Sequence, residues 1–234
     1  MPNPYFSFKK FTIHQDRCTM KVCTDSCILG AWTTTHSRNA EKILDIGTGT
    51  GLLTLMTAQK SSAFIDAIES NREAATQARE NIKASPWSDR VCLIEGDARN
   101  FLFTTRYDFI ITNPPFYQSD LRSSNDKKNE AKHDESLILE ELMKVICSCL
   151  KNDGAFSILL SFHRTGYFEN LASLNGFYLT EKLTVKQTPE HSPFRSICLF
   201  RFQKPATVAY CELVIKDAIG KYTPEFTKLL EDYY

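Results

Sequence analysis

The sequence lacks an excess of charge of either sign and any long apolar run, and each absence excludes a class of protein. Its 234 residues carry 28 lysines and arginines against 28 aspartates and glutamates. No overall field therefore attracts a polyanion, and any contact with nucleic acid must come from local patches. No segment reaches the roughly 18 apolar residues of a membrane span, and the amino terminus has no apolar signal-peptide core. We therefore expect a chain that crosses no membrane.

Cysteine is present without a metal-binding pattern. Eight cysteines lie at positions 18, 23, 27, 92, 147, 149, 198 and 211, with no CxxC pair and no cysteine and histidine spacing typical of zinc sites. Several fall inside predicted strands or helices, where a free thiol behaves as a small apolar residue. We expect a reduced, cytoplasmic protein that binds no metal.

The apolar residues, 42% of the chain, suffice for the core of one large α/β domain. Apolar runs alternate with helical patterns between residues 42 and 202, which predicts about seven strands in a mostly parallel, doubly wound sheet. The predicted strands are 42–46, 64–69, 91–95, 107–112, 156–162, 177–185 and 197–202. Residues 1–36 are rich in aromatic and basic side chains, and we separate them from the domain 37–234 as a flap that either covers a ligand or packs on the core. Thr24 or Asp25 is expected to cap a helix in this flap, and Thr223 opens another near the carboxyl terminus.

A glycine-rich turn, Gly47-Thr48-Gly49-Thr50-Gly51, joins the first predicted strand to a helix. Glycines let the backbone approach a ligand closely, and the following helix amino terminus favours a carboxylate. The dinucleotide fingerprint fails, because Leu52 stands at its third glycine position. Glu69 ends the next strand, where an acid accepts hydrogen bonds from the hydroxyls of a ribose, and Asp97 follows the third strand, where it suits an adenine amino group.

The tetrapeptide Asn113-Pro114-Pro115-Phe116 follows the apolar strand 107–112. Its prolines restrict the backbone to a rigid corner that offers an amide oxygen, a main-chain carbonyl and an aromatic face. Two acceptors aimed at the hydrogens of an exocyclic amino group favour its nucleophilic form, and an aromatic ring can stack on the base that carries it. A plain strand-ending turn has the same composition.

These candidate residues share a position at the carboxyl ends of predicted parallel strands. Ligands of doubly wound sheets bind beyond those ends. We therefore expect Gly47 to Gly51, Glu69, Asp97 and Asn113 to line one cleft. The polar segment 117–134, which follows the Asn113 corner, is either a loop that grips the substrate or a solvated loop.

As a set, Asp45-Ile-Gly-Thr-Gly-Thr-Gly51, the acid Glu69, Gly96-Asp97-Ala98 and Asn113-Pro-Pro-Phe116 resemble the class I S-adenosylmethionine-dependent methyltransferases that methylate amino nitrogens. A narrower set of motifs, spread over nearly the whole chain, resembles the bacterial tRNA(Val) adenine-37 N6-methyltransferase family. These motifs are Phe8-Lys-x-Phe11, Asp16-Arg17-Cys18, Met20-Lys21-Val22-x-Thr24-Asp25, Leu29-Gly30-Ala31-Trp32, Ala131-Lys132-His133 and Tyr222-Thr223-x-Glu225-Phe226. The chain departs from the pattern at Cys23, where a glycine is expected, and at Ser26-Cys27, which replaces a more apolar pair.

The resemblance implies an enzyme that transfers a methyl group from S-adenosyl-L-methionine to N6 of adenine-37 in tRNA, with the anticodon loop as its partner. The residues that it assigns to the cofactor are Lys21, Thr24, Asp45, Gly47, Gly49, Gly51, Glu69, Asp97 and Ala98. The residues that it assigns to the reaction are Asn113, Pro114, Pro115 and Phe116. Our candidates for contacts with RNA are Arg17, Lys132, His133 and Arg195.

Other functions stay open at this point. The corner Asn-Pro-Pro-aromatic also resembles that of protein-glutamine N5-methyltransferases and of guanine-N2 rRNA methyltransferases. A protein that binds RNA without catalysis is a third possibility, although an intact glycine-rich turn and an intact corner argue against it. We expect a monomer.

Overall fold

An eight-stranded sheet organises the computed structural model, which describes residues 3–18, 20–115 and 138–234. The strands of these residues are β1 (Tyr5–Ser7), β2 (Thr12–His14), β3 (Lys42–Ile46), β4 (Phe64–Glu69), β5 (Val91–Glu95), β6 (Tyr107–Thr112), β7 (Leu150–Ser161), β8 (Tyr178–Lys186), β9 (Arg195–Arg201) and β10 (Ala209–Val214). The helices are α1 (Thr24–Thr33), α2 (Leu52–Lys60), α3 (Arg72–Lys83), α4 (residues 138–149), α5 (Thr165–Leu174) and α6 (Pro224–Leu230).

The sheet has the order β10-β8-β9-β7-β6-β3-β4-β5. Strand β9 runs antiparallel to both of its neighbours, and every other pair is parallel. The predicted doubly wound, mostly parallel sheet is therefore confirmed, and the expected strand count of seven is wrong by one. The additional strand is β10, an edge strand with four exposed residues in succession, so its sequence has no buried apolar run to reveal it.

Strand β7 also begins earlier than predicted, at Leu150 in place of residue 156. After Leu150, residues Lys151 to Gly154 are polar, and the register against β6 shifts there. Leu150 pairs with Tyr107, and the next residue that pairs with β6 is Ala155, opposite Phe109. A polar bulge of this kind looks like a loop in the sequence because it lacks the apolar period of a strand.

The sheet lies between two hydrophobic cores. Side chains alternate along a strand, so Ile43 and Leu44 of β3 point to opposite faces and both are fully buried. Helices α1, α2, α3 and α6 cover one face, and helices α4 and α5 cover the other. The resulting α/β/α layers leave the carboxyl ends of the central strands open between them.

The amino-terminal segment packs into the core on the face of the sheet that α1, α2, α3 and α6 cover. Strands β1 and β2 form an antiparallel hairpin, and Phe8, Phe11 and Ile13 are buried with residues of α1 and α2. Asn81 of α3 holds the hairpin, because its side chain donates to the carbonyl of His14 (2.9 Å) and accepts from the N–H of the same residue (3.0 Å). The hairpin and one face of the sheet thus share this hydrophobic core.

Two helix caps were predicted above, and the structure confirms one of them. Thr223 accepts a hydrogen bond from the N–H of Phe226 (3.2 Å) and opens α6 as expected. Helix α1 starts after Cys23 without a side-chain cap, so the expected cap by Thr24 or Asp25 is wrong. Helix α3 is capped by Asn71, although the spacing of Ser70 and Glu73 is typical of a capping box.

Within the described ranges no helix combines the length and the apolar character that a bilayer crossing requires. All eight cysteines lie in these ranges, and all are free thiols.

Candidate active site

A cavity of about 560 Å³ opens at the carboxyl ends of β3, β4, β5 and β6. Its volume falls within the roughly 300–1,000 Å³ of small-ligand sites. The sequence-predicted residues that line it are Gly47, Gly49, Glu69, Asp97, Ala98, Asn113, Pro114 and Pro115. The single cleft expected from the strand ends is therefore present. Helix α4 supplies the facing wall through Ile138, Glu141, Leu142 and Val145.

A larger hollow of about 730 Å³ lies at the opposite ends of the strands, beside their amino ends, and is lined by residues that include Arg38, Lys42, Arg106 and Lys151. None of the sequence-predicted site residues lines it. Parallel sheets bind their ligands at the carboxyl ends of the strands, so we assign the active site to the smaller cavity.

The glycine-rich turn lines the cavity with its backbone at Gly47 and Gly49. Gly47 and Gly49 have φ values of 74° and 57°, in the left-handed region that glycine adopts without steric cost. The N–H groups of Gly47 and Thr48 donate to the carbonyl of Ile68 at 2.9 and 3.1 Å, which ties the turn to β4. A Cβ at Gly47 or Gly49 would meet no atom within 4 Å, so the backbone conformation demands glycine there.

The Glu69 carboxylate is fixed by two backbone donors. Gly49 N–H donates to Oε2 (2.9 Å) and Asn71 N–H donates to Oε1 (2.8 Å). Each carboxylate oxygen can accept more than one hydrogen bond, so both retain acceptor capacity on the cavity side. The arrangement is suited to a pair of neighbouring hydroxyl groups.

Asp45 lies beneath the turn and is fully buried. Its Oδ2 accepts hydrogen bonds from Thr48 and Thr54, both at 2.7 Å, and its Oδ1 has no partner in the described part of the chain. Burial raises the pKa of this carboxyl from its ordinary 3.8 to about 6, against the opposing effect of the two hydroxyl donors. Because Asp45 does not line the cavity, it can act on a ligand only through the shape of the turn.

Asp97 is paired with a residue that the sequence analysis did not identify. Arg99 Nε donates to both carboxylate oxygens of Asp97 at 2.9 Å, and its Nη1 donates to Oε2 of Glu141 (2.8 Å). The hydrogen bond from Arg99 lowers the pKa of Asp97 below its usual value. Arg99 therefore links the loop after β5 to α4 across the rim of the cavity.

The Asn113 corner presents one unpaired polar atom. The Nδ2 group of Asn113 donates to Ser26 Oγ of α1 (2.9 Å), and it lies 3.9 Å from Met20 Sδ. The side-chain oxygen, Oδ1, is buried and accepts no hydrogen bond from any described residue. An acceptor in this state costs free energy unless a ligand donates to it, so the corner is prepared for a donor.

Several predicted site residues lie elsewhere or outside the described ranges. Lys21, Thr24 and Gly51 do not line the cavity, and Phe116, Lys132 and His133 lie outside the described residues. Gly51 precedes α2 as its N-cap with a φ of 83°. The segment 20–25 does reach the cavity, through Met20, while Cys18 lines it from the other side of residue 19.

The two described candidates for RNA contacts are engaged in ion pairs. Arg17 Nη1 donates to Glu80 of α3 (2.9 Å), and Arg195 Nε donates to Asp25 of α1 (2.8 Å). The Arg195 guanidinium also lies over the ring of Phe194, 5.4 Å from its centroid. Neither arginine lines the cavity.

The residues that sequence reasoning missed are Cys18, Met20, Ser26 and Arg99. The motif at residues 16–25 identified the right stretch, but no local signal says which of its side chains turn inward. Burial raises the pKa of the Cys18 thiol to about 11, so this wall of the cavity is neutral and apolar at physiological pH.

Comparison with known proteins agrees with this geometry. The family model described as the methyltransferase small domain matches residues 28–178. A tRNA1(Val) (adenine(37)-N6)-methyltransferase of Dyadobacter fermentans is 45% identical over 240 residues, which cover 99% of this chain and 98% of the relative. A protein of the same name from Bacteroides fragilis is 38% identical, over 100% of this chain and 99% of its own length. The chain belongs to this methyltransferase family.

Membership confirms the resemblance seen in the motifs. Among solved structures, a predicted O-methyltransferase from Agrobacterium tumefaciens superposes with a TM-score of 0.67 at 15% identity, covering 89% of this chain and 96% of the other. At that identity the likeness supports the fold of the methyltransferase alone. The described residues contain no group of three or more histidine, cysteine, aspartate or glutamate side chains arranged to hold a metal ion.

The buried Asp45 carboxyl predicts a pH effect on stability. The pKa of Asp45 is about 6 in the folded chain and ordinarily 3.8. Between about pH 4 and pH 6 the folded chain therefore holds a proton that the unfolded chain releases. The stability that this extra proton contributes to the folded chain is lost as the pH rises through that window. The Asp45→Asn variant has no carboxyl group to titrate at this position, so its stability does not change with pH for this reason. The free energy of unfolding of the variant, relative to the unaltered methyltransferase, should rise by roughly 3 kcal/mol between pH 4 and pH 7.

Urea denaturation of both proteins across that pH range measures this difference. Only its change with pH is diagnostic, because the new amide hydrogens add a cost that does not depend on pH. Asp153→Asn, at an exposed position, is the control for the loss of one carboxylate. A flat difference for Asp45→Asn would show that the Asp45 carboxylate is stabilised as well in the folded chain as in water.

Proposed function

We propose that this protein transfers a methyl group from S-adenosyl-L-methionine to N6 of adenine-37 in tRNA(Val). The observation that carries the proposal is the unpaired Oδ1 of Asn113, next to Pro114, in the cavity that also contains Glu69. The relatives that match the chain over its full length bear the name of this reaction. In this proposal the Asn113 corner orients the target amine, and the carboxylates Glu69 and Asp97 form part of the cofactor site.

The residues of the cavity fit S-adenosylmethionine. Glu69, held by two N–H groups with lone pairs to spare, suits the ribose hydroxyls, and Asp97 and Ala98 suit the adenine ring. We place the methionine end of the cofactor beside the glycine-rich turn, where Gly47 and Gly49 line the cavity. The bound cofactor supplies an activated methyl group on a sulfonium sulfur.

The chain's own part in the reaction is orientation and electrostatics. Asn113 Oδ1 and the carbonyl of Pro114 accept the two N6 hydrogens of the target adenine, which directs the nitrogen lone pair along the line of transfer. With the cofactor bound, the S–CH3 bond would break and leave its electron pair on sulfur as the N6 lone pair forms the new N–C bond. The nitrogen would then be cationic and acidic, so one of its hydrogens would leave as a proton to water without a strong base. Phe116, in the same tetrapeptide, stacks on the splayed base.

The target adenine lies beside the anticodon, so the anticodon loop is the part of tRNA that must reach the cavity. With 28 positive and 28 negative side chains, the chain holds its RNA through local contacts, for which Arg17, Lys132, His133 and Arg195 are our candidates. We assign residues 1–36 to a segment beside the domain 37–234 that reaches the site through Cys18 and Met20. In this proposal Lys21 and Thr24 act near the methionine end of the cofactor. We expect a cytoplasmic monomer.

The proposal predicts a defined product. Purified protein, incubated with S-adenosylmethionine and total tRNA from a strain that lacks its gene, should produce N6-methyladenosine at position 37 of tRNA(Val). Nuclease digestion and mass spectrometry locate the new methyl group. Methylation of a release-factor glutamine or of rRNA guanine, with none in tRNA, would contradict the proposed substrate, and cofactor binding without transfer to any of them would contradict an enzymatic function.

Asn113→Ala should slow transfer by about 10² to 10³-fold, because it removes one of two acceptors aimed at the amino group. The Kd for S-adenosylmethionine should stay within about threefold of the unaltered value, since Asn113 orients the other reactant. Single-turnover rates with labelled cofactor and calorimetric binding separate the two quantities. The control is Asn39→Ala, at an exposed asparagine beside the amino ends of the strands. Equal losses of cofactor binding and of rate in Asn113→Ala would contradict the role assigned to Asn113.

Glu69→Gln should weaken binding of S-adenosylmethionine roughly ten- to hundredfold, because hydrogen bonds to a charged acceptor are stronger than those to a neutral one. The glutamine can accept at only one of its two terminal atoms, so it also loses a backbone donor of the turn. Glu73→Gln, exposed in the first turn of α3 outside the cavity, is the matched control. Calorimetry measures both, and an unchanged Kd for Glu69→Gln would exclude the ribose contact.

A further inference from the structure

Ser26 lies in the first turns of α1, only 4% exposed, and it is the described residue that hydrogen-bonds to the Asn113 side chain. Eighty-seven positions separate the two residues in the sequence, and the contact joins α1 to the end of β6. Ser26 does not line the cavity, so its hydroxyl acts on a ligand through Asn113.

The two contacts of Nδ2 decide which way the Asn113 carboxamide faces. Nδ2 lies 2.9 Å from Ser26 Oγ and 3.9 Å from Met20 Sδ, and both of these atoms can accept a hydrogen. If the carboxamide turned over, its oxygen would face the Ser26 hydroxyl, which can donate to it, but also the Met20 sulfur, which has no hydrogen to donate. Its amino group would then occupy the place of Oδ1, where no described residue accepts from it. The orientation in the structure avoids both losses and leaves Oδ1 unpaired on a residue that lines the cavity.

Ser26 is itself held in place. Its Oγ lies 2.9 Å from Cys23 Sγ, and its N–H donates to Oδ1 of Asp25 (3.0 Å). The second oxygen of Asp25 accepts from Arg195 Nε (2.8 Å), which anchors the start of α1 to β9. Burial raises the pKa of the Cys23 thiol to about 11, so the contact with Ser26 involves a neutral thiol at physiological pH.

We infer that Ser26 is a positioning residue for methyl transfer: its hydroxyl accepts a hydrogen from Asn113 Nδ2 and thereby keeps Asn113 Oδ1 aimed at the amino group of the substrate. The inference rests on the proposed function, because it assigns Ser26 a part in orienting the target amine. It adds an element outside the Asn-Pro-Pro corner to the geometry of the reaction.

Ser26→Ala tests the inference. Without the hydroxyl, the carboxamide keeps only its weak contact with Met20 and populates orientations that present the amino group to the substrate. The single-turnover rate should fall about five- to tenfold, the effect expected for one neutral hydrogen bond. The Kd for S-adenosylmethionine and the KM for tRNA should stay unchanged, while the thermal midpoint should fall by only about 2–4 °C for the lost hydrogen bond. The control is Thr35→Ala, just beyond the other end of α1. It deletes a hydroxyl that donates to the Trp32 carbonyl, and it should leave the rate unaltered.

A double-mutant cycle separates positioning from a general effect on structure. If Ser26 acts through Asn113, then adding Ser26→Ala to Asn113→Ala should change the remaining rate by less than twofold. Coupling of this kind supports the inference. A rate within twofold of the unaltered protein for Ser26→Ala alone, or the same five- to tenfold loss in the Asn113→Ala background, would overturn it.

These results are distinct from a failure of the proposed function. If the unaltered protein binds S-adenosylmethionine but methylates no tRNA, both the function and the inference fall. If the unaltered protein methylates adenine-37 and Ser26→Ala does so at the same rate, the function stands and the inference alone is overturned.

Discussion

The site depends on a carboxylate buried where water cannot reach it. Asp45 lies near the end of β3. Its Oδ2 accepts from Thr48 and Thr54, so the glycine-rich turn is held from below by hydrogen bonds in a low-dielectric interior. Because the turn is fixed, the Gly49 N–H reaches the Glu69 carboxylate of the neighbouring strand. The cofactor end of the cavity thus takes its shape from a residue that the cavity does not expose.

The second constraint comes from α1, which holds the reacting end of the same cavity. Its Ser26 hydroxyl contacts Asn113, while its apolar residues Ile28 and Leu29 are fully buried in the core that also contains residues of the hairpin. Packing of the amino-terminal segment and orientation of the Asn113 amide are therefore coupled. A change that loosened α1 would disturb the reacting end before it disturbed the turn near Asp45.

Much of the fold and of the site could be predicted because strands and their ends are local features. The apolar runs located the central strands, and the rule that parallel sheets bind ligands at their carboxyl ends brought Glu69, Asp97 and Asn113 together correctly. What failed depends on distant partners. The exposed edge strand β10 becomes a strand only by pairing with β8, and Arg99 joins the site to Glu141 on the later helix α4, a partner that no local signal indicates.

The charges around the cavity suit the cofactor we propose. Glu69, Asp97 and Glu141 line it together with Arg99, so the part of its lining formed by described residues carries more negative than positive charge. A negative lining favours a ligand with a sulfonium and an ammonium group and disfavours a free polyanion. The RNA must then be held by surfaces outside the cavity and present only a neutral base to it. A neutral amide at Asn113 fits this division, since a carboxylate there would add charge where an uncharged amine has to enter.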